Sequence, residues 1–253
     1  MFYIGITGHR GAGKTAIAYL LGNTLECLKR NNTFEDIQVV FNEKCSIIRA
    51  NNNAIYDCPL YYVYFDEFSE QAKYFISQIL GIDMSLLDSD SMKDNMYVNL
   101  KDFTIHSNKA DVAVNIETYI SSIPTKSDKP KRLANDVFMS LRNFIEMFSV
   151  DMMQKYLGGD VWIKMLNISK LKYGEIDEGW RIFSDVKLVD ELNYIKKNNG
   201  IIIKVIRPSN RKASTRLSNT DFEADYLLET EGNLEGLFEP IYNIAKDIYE
   251  KSR

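Results

Sequence analysis

Histidine and cysteine are scarce in this chain of 253 residues, and their scarcity removes several chemistries at the outset. With only His9 and His106, neither a histidine-built zinc site nor a Ser-His-Asp triad is expected. The three cysteines, Cys27, Cys45 and Cys58, are odd in number and lack C-x-x-C spacing. With no signal-peptide pattern ahead of them, they read as reduced thiols of a cytoplasmic protein rather than a disulfide framework. No apolar run approaches the roughly eighteen residues that span a bilayer, so no membrane partner is expected. Excess positive charge is missing too. A net charge of −4 argues against holding nucleic acid by broad phosphate neutralisation, so any basic site must be local.

What is present is a composition with enough apolar residues for a sizeable core, 45% hydrophobic against 26% charged. The length suits one α/β domain, 1–253, carrying an insertion.

The informative stretch lies at the start. Phe2-Tyr3-Ile4-Gly5-Ile6-Thr7 is an apolar, β-branched run ending in Gly8-His9-Arg10-Gly11-Ala12-Gly13-Lys14-Thr15. This matches G-x-x-x-x-G-K-[ST], the phosphate-binding P-loop. Gly8, Gly11 and Gly13 permit a tight turn with N–H groups pointing inward as an anion nest. Lys14 is a point charge able to follow the β- and γ-phosphates of ATP, and the Thr15 hydroxyl suits Mg²⁺. Ile17, Leu20, Leu21, Leu25 and Leu28 follow at helical spacing, so the loop opens a helix whose positive end faces the phosphates.

Further along, Ile37 to Phe41 reads as a short strand and Cys45 to Ala50 as a short helix. Tyr61 to Phe65 is a strand running into a helix with Phe68, Ala72, Phe75, Ile76 and Ile79 on its apolar face, closed by Gly81. Residues 83–133 turn polar, and a basic linker between Pro124 and Pro130 ends in Lys131-Arg132. This segment reads as a mostly helical, polar insertion on the substrate side rather than a second core. Asn135 is placed to cap a long helix with Val137, Phe138, Leu141, Phe144, Ile145 and Phe148 buried and Arg142 projecting. The last third holds a strand at Trp180 to Asp185, a helix at Leu188 to Asn198 and a buried strand at Ile201 to Ile206. A basic loop at 207–220, a short strand at Tyr226 to Leu228 and a closing helix at Leu234 to Tyr249 complete it. Strands alternating with helices imply a central parallel sheet flanked by helices.

Three features bear on the chemistry. The 207–220 loop carries Arg207, Arg211, Lys212 and Arg216 directly after a core strand, at the sheet edge where the glycine-rich loop lies. Cations closing there as a lid would neutralise the charge that phosphoryl transfer spreads over oxygens. Asp185, ending a strand, suits a Mg²⁺ carboxylate, with Asp66 its rival for that role; either could instead cap the next helix. Asn108-Lys109-Ala110-Asp111 matches the N-K-x-D guanine-reading motif, but no D-x-x-G precedes it, so a GTPase switch is incomplete.

Taken together, several segments resemble the bacteriophage-type deoxynucleoside monophosphate kinases. Phe65-Asp66-Glu67-Phe68-Ser69-Glu70-Gln71 resembles the family's F-A-D-P-L-K-E, with Glu67 and Phe68 departing from it. Arg142 to Asp151 resembles R-x-L-L-Q-x-x-G-T-[DE], with Trp162 at the tryptophan downstream. Ile182 to Lys187 resembles I-S-D-V-R with Phe183 as an extra residue, and Asp190-Glu191 follows like the family's N-E. Asp225 to Leu228 and Gly232 to Leu237 resemble its closing D-Y-x-I and N-x-G-T-L-E-x-L pattern.

The resemblance implies a P-loop kinase fold, transfer of the γ-phosphoryl of ATP to a deoxynucleoside 5′-monophosphate with Mg²⁺, and allows a homodimer. By position it implies Asp66, Phe68, Arg142, Asp151, Trp162 and Lys187 at the monophosphate and Gly232 near the donor base. Lys187 stands where the family has arginine, and keeps the charge without the bidentate fork. Another small-molecule P-loop kinase, such as one acting on dephospho-coenzyme A, is the nearest alternative.

Overall fold

A computed structural model describes residues 1–9, 11–50, 60–101, 103–106, 138–173, 178–208, 223–230 and 233–253. The chain begins with β1 (Phe2–Gly8), α1 (Lys14–Lys29), α2 (Phe34–Ala50) and β2 (Val63–Asp66). There follow α3 (Glu70–Leu80), a 3₁₀ turn at Met84–Leu87, α4 (Asp90–Asn95), β3 (Tyr97–Asn99), β4 (Ile105–His106) and β5 (Phe138–Ser140). Next come α5 (Leu141–Glu146), a π-helical stretch at Met147–Gln154, α6 (Lys155–Leu157) and α7 (Val161–Tyr173). The chain closes with β6 (Trp180–Phe183), α8 (Val189–Lys197), β7 (Ile201–Ile206), β8 (Tyr226–Glu229), a 3₁₀ turn at Glu235–Leu237 and α9 (Phe238–Lys251). Two compact units result, Met1–Phe68 with Asn167–Arg253, and Ser69–Leu166.

The first unit is built on a five-stranded sheet in the order β2-β6-β1-β7-β8, every pairing parallel. The apolar runs of β1 and β7 belong to strands buried on both faces, as a parallel sheet demands. On one face, Ile4, Ile6, Ile182, Ile203 and Val205 pack with Leu20, Leu21 and Leu25 of α1, Ile37 and Phe41 of α2, and Ile241 and Ile248 of α9. Each such side chain contributes about 1.5–3 kcal/mol by leaving water. On the other face Phe68 stacks on Phe183 at 4.6 Å between ring centroids, and Tyr194 of α8 meets both rings edge-on.

β1 is central, and it and its neighbour β6 lead in opposite directions. The chain leaves β1 through α1 and α2 toward β2, whereas it leaves β6 through α8 toward β7 on the far side of β1. The loops therefore diverge at the carboxyl ends of β1 and β6, where open α/β sheets form their ligand crevice.

The second unit has its own three-stranded antiparallel sheet, β4-β3-β5. Ile76, Leu87, Val98, Leu141 and Phe144 form its core. Leu87 and Val98 lie in the 83–133 segment, whose polar texture conceals them.

Three local expectations are corrected. Residues 37–41 are not a strand but part of α2, because Ile37, Phe41, Cys45 and Ile48 form one buried stripe while Val39 is exposed. Thr33 and Asp36 exchange hydrogen bonds as a box at its start. Phe138 lies in β5 rather than on a long helix, and the helix begins at Leu141, where the Ser140 hydroxyl accepts the Asn143 N–H at 3.2 Å. Asn135, proposed as its cap, lies outside the described residues. On α3, Ala72 and Ile76 are buried as expected, but Phe75 and Ile79 are exposed. Gly81 closes that helix in the left-handed conformation.

Candidate functional site

The β1–α1 loop is shaped by glycines that no other residue replaces at no cost. Gly8 has φ +148°, and a Cβ there would lie 2.3 Å from the Val205 carbonyl oxygen of the neighbouring strand. Gly13 precedes α1 at φ +88°, and its carbonyl accepts the Ile17 N–H at 2.9 Å, so α1 starts directly from the loop. The turn is closed by the Ala12 N–H donating to His9 O at 3.1 Å. Lys14, in the first turn, folds back along this loop. Its Nζ donates to Gly8 O at 3.1 Å and His9 O at 3.0 Å. An ammonium thus sits at the positive end of a 16-residue helix, a concentration of positive potential suited to an anion.

Neighbouring strand ends converge on the same loop. From the end of β7, Arg207 Nη1 donates to Gly11 O at 3.2 Å. Beyond β8, the Thr230 N–H donates to Ile206 O at 2.7 Å, and its hydroxyl lies 3.5 Å from Ala12 O. Beyond β6, the turn from Asp185 to Leu188 is held at each residue. Asp185 Oδ1 accepts the Phe68 N–H at 2.9 Å, and the Val186 N–H donates to Ile6 O of β1 at 3.2 Å. Glu191 Oε2 accepts the Lys187 and Leu188 N–H groups at 2.7 and 3.0 Å. Burial, and after it the neighbouring Asp185 carboxylate, push Glu191 up to about 7. The Ser184 hydroxyl donates to Glu67 at 3.3 Å and its N–H to Asp66 O at 3.4 Å, so with the Phe68–Asp185 bond the ends of β2 and β6 are joined three times.

Asp66 and Asp185 are thereby distinguished. Asp66, on the outer strand β2, forms an ion pair with Arg181. Asp185 follows β6, the strand beside β1, and Thr15 stands in the first turn of α1, the helix that follows β1. A hydroxyl and a carboxylate are the hard oxygen donors Mg²⁺ takes, usually with several waters kept, so this pair fits that ion. Among the described residues no cluster of three or more histidine, cysteine, aspartate or glutamate side chains is placed to hold a metal. A softer or protein-caged metal is not what the donor set offers.

The expected monophosphate residues divide between the units. Asp66, Phe68 and Lys187 belong to the first, and Arg142, Asp151 and Trp162 to the second. Phe68 is 1% exposed and its ring is core, so its side chain is committed to packing, and its N–H is taken up by the Asp185 carboxylate. Lys187 is exposed. Arg142 pairs with Asp94. Trp162 is buried with Ala72 and Val161, its indole N–H donating to Ser149 O in the π-helical stretch at 3.1 Å. Asp151 is an exposed residue of that same stretch. Arg10, Arg211, Arg216, Gly232 and the Asn108–Asp111 motif lie outside the described residues.

Glu191, Thr230 and the Asp66–Arg181 pair were not singled out from sequence for these contacts. Glu191 stands three residues after Leu188, and a capping box is read from a Ser or Thr in that place. No protein-family model matches this chain, and no curated protein matches it. The class the fold defines is an α/β protein with a parallel five-stranded sheet flanked by helices. Among the described residues no helix is long and apolar enough to cross a membrane.

Proposed function

We propose that this protein is a P-loop kinase that transfers the γ-phosphoryl group of ATP to a deoxynucleoside 5′-monophosphate. The observation that carries this reading is Lys14 lying along the β1–α1 loop, its ammonium 3.1 and 3.0 Å from the Gly8 and His9 carbonyls. A polyphosphate entering the loop would offer that ammonium anionic oxygens in place of neutral ones, a stronger interaction. The helix start, at the carboxyl end of the central strand, supplies N–H groups to the same oxygens.

Gly8 to Thr15 would hold the phosphates of ATP, and Thr15 and Asp185 would hold Mg²⁺. When bound, the ion neutralises charge on the β- and γ-oxygens. Arg207 reaches the loop from β7, and Arg211 and Arg216 further along 207–220 are proposed to complete the cationic set. The acceptor class follows from the resemblance, which by position implies Asp66, Phe68, Arg142, Asp151, Trp162 and Lys187 for the monophosphate. An acceptor phosphate is already ionised at neutral pH, so no general base is required. That agrees with a chain having two histidines, of which His9 lies in the loop.

The test is ADP release by the purified full chain with Mg²⁺-ATP against dAMP, dGMP, dCMP, dTMP, the ribonucleotides and dephospho-coenzyme A. Turnover with one or more deoxynucleotides is expected. Turnover with dephospho-coenzyme A alone would keep the kinase and replace its acceptor. Silence with every acceptor would overturn the reading.

A further inference from the structure

Glu191 is an odd residue to bury. The residue is 6% exposed in the first turn of α8, and its Oε2 takes the N–H groups of two successive residues. A helix cap is worth about 1 kcal/mol, and an exposed Ser, Thr or Asp provides it. Burying a carboxylate costs more than that unless its partners offset it, and here Asp185 adds like-charge repulsion. Capping α8 therefore does not account for the residue.

What Glu191 does hold is the second half of a turn whose first half is tied to β1 and to the end of β2. Lys187 and Leu188 are tied to Glu191, Val186 to β1 two residues before Gly8, and Asp185 to the Phe68 N–H. With Lys187 and Leu188 released, Asp185 would keep the Phe68 N–H and the Val186 link to β1, but the turn that carries it would lose the two hydrogen bonds that fix its second half. We infer that Glu191 is a positioning residue, whose buried carboxylate fixes the Asp185–Leu188 turn and so aims Asp185 at the metal-bound phosphates. This deepens the proposed function and rests on it. Residues that orient a metal ligand in this manner typically change metal affinity by roughly ten- to a hundredfold when removed.

The experiment compares Glu191→Ala, Glu191→Asp and Glu191→Gln in the full chain. Aspartate keeps the charge but shortens the reach, whereas glutamine keeps an acceptor oxygen in place. In metal-free, nucleotide-free protein, amide hydrogen exchange at Lys187 and Leu188 should accelerate in the alanine and aspartate variants and stay near wild type in glutamine. The Mg²⁺ concentration for half-maximal turnover should rise roughly tenfold or more in the first two, with the acceptor KM unchanged. Glutamine should restore it to within a few-fold. Should alanine fail to fold, the aspartate–glutamine pair carries the same comparison.

Faster exchange with an unchanged Mg²⁺ requirement would reduce Glu191 to a helix cap and overturn the inference alone. A wild-type chain that transfers no phosphoryl group would overturn the proposed function, and this inference with it, before any variant is compared.

Discussion

The main-chain N–H of Phe68 donates to the Asp185 carboxylate at 2.9 Å, joining two strand ends that lie 117 residues apart in the chain. Asp185 therefore has a structural duty beside the one proposed for the metal, and two substitutions separate them. Asparagine keeps an oxygen for the Phe68 N–H but loses the charge. Alanine leaves a buried donor unsatisfied, at about 1–3 kcal/mol. Asp185→Asn should unfold in urea within about 1 kcal/mol of wild type yet lose Mg²⁺-dependent transfer, while Asp185→Ala should lose both. An Asp185→Asn variant with normal Mg²⁺ dependence would move the metal role elsewhere, with Asp66 the next carboxylate to substitute.

Lys14 donates hydrogen bonds within its own loop, to Gly8 and His9. Its removal should cost the fold little, within roughly 0.5–1 kcal/mol, since these carbonyls can turn to water. Transfer, in contrast, should fall by roughly 10³ or more, because the developing charge on the phosphoryl oxygens loses its closest cation. Thermal unfolding and ADP release of Lys14→Ala, measured on one preparation, check both halves. Retained turnover would remove the loop from the mechanism.

The two loop glycines should respond differently to one added methyl group. At Gly13 a Cβ meets no atom within 4 Å, so alanine would bear only the left-handed backbone, about 1–2 kcal/mol. At Gly8 the same strain is joined by a contact 2.3 Å from Val205 O, which must push β1 from β7. Urea denaturation should place Gly8→Ala well below Gly13→Ala in stability. Equal values would mean that the loop yields more readily than its neighbours.

Much of the first unit was legible because its signals are local. The runs at Ile4–Ile6 and Ile201–Ile206 lie in strands, and the stripe of α1 lies on a helix, as their spacing predicts. Residues 37–41 misled because Ile37, Val39 and Val40 suggest strand while the burial partner of Ile37 is Phe41, four residues on. The interactions around Asp185 could not be read at all. They depend on strand order, which brings residues 68 and 185 together, and on a cap at Leu188 that has no hydroxyl to announce it.

Glu191 also makes stability depend on pH in a direction that can be worked out. Its folded value is about 7, against 4.5 for an ordinary glutamate, raised by burial and then by Asp185. Below about pH 4.5 both folded and unfolded chains hold the proton, and the residue favours neither. Between about pH 4.5 and pH 7 the unfolded chain releases it while the folded chain keeps it, so stability falls as pH rises. Above about 7 both are ionised and the loss is complete. Glu191→Gln has no such proton. The stability of wild type minus that of Glu191→Gln should therefore decline across this window and level off above it. Adding Asp185→Asn to both chains removes the like charge and should shrink the decline. A flat difference would mean that the two N–H partners offset the burial and the neighbouring charge, and one that rises with pH that they outweigh them; either would overturn the raised value.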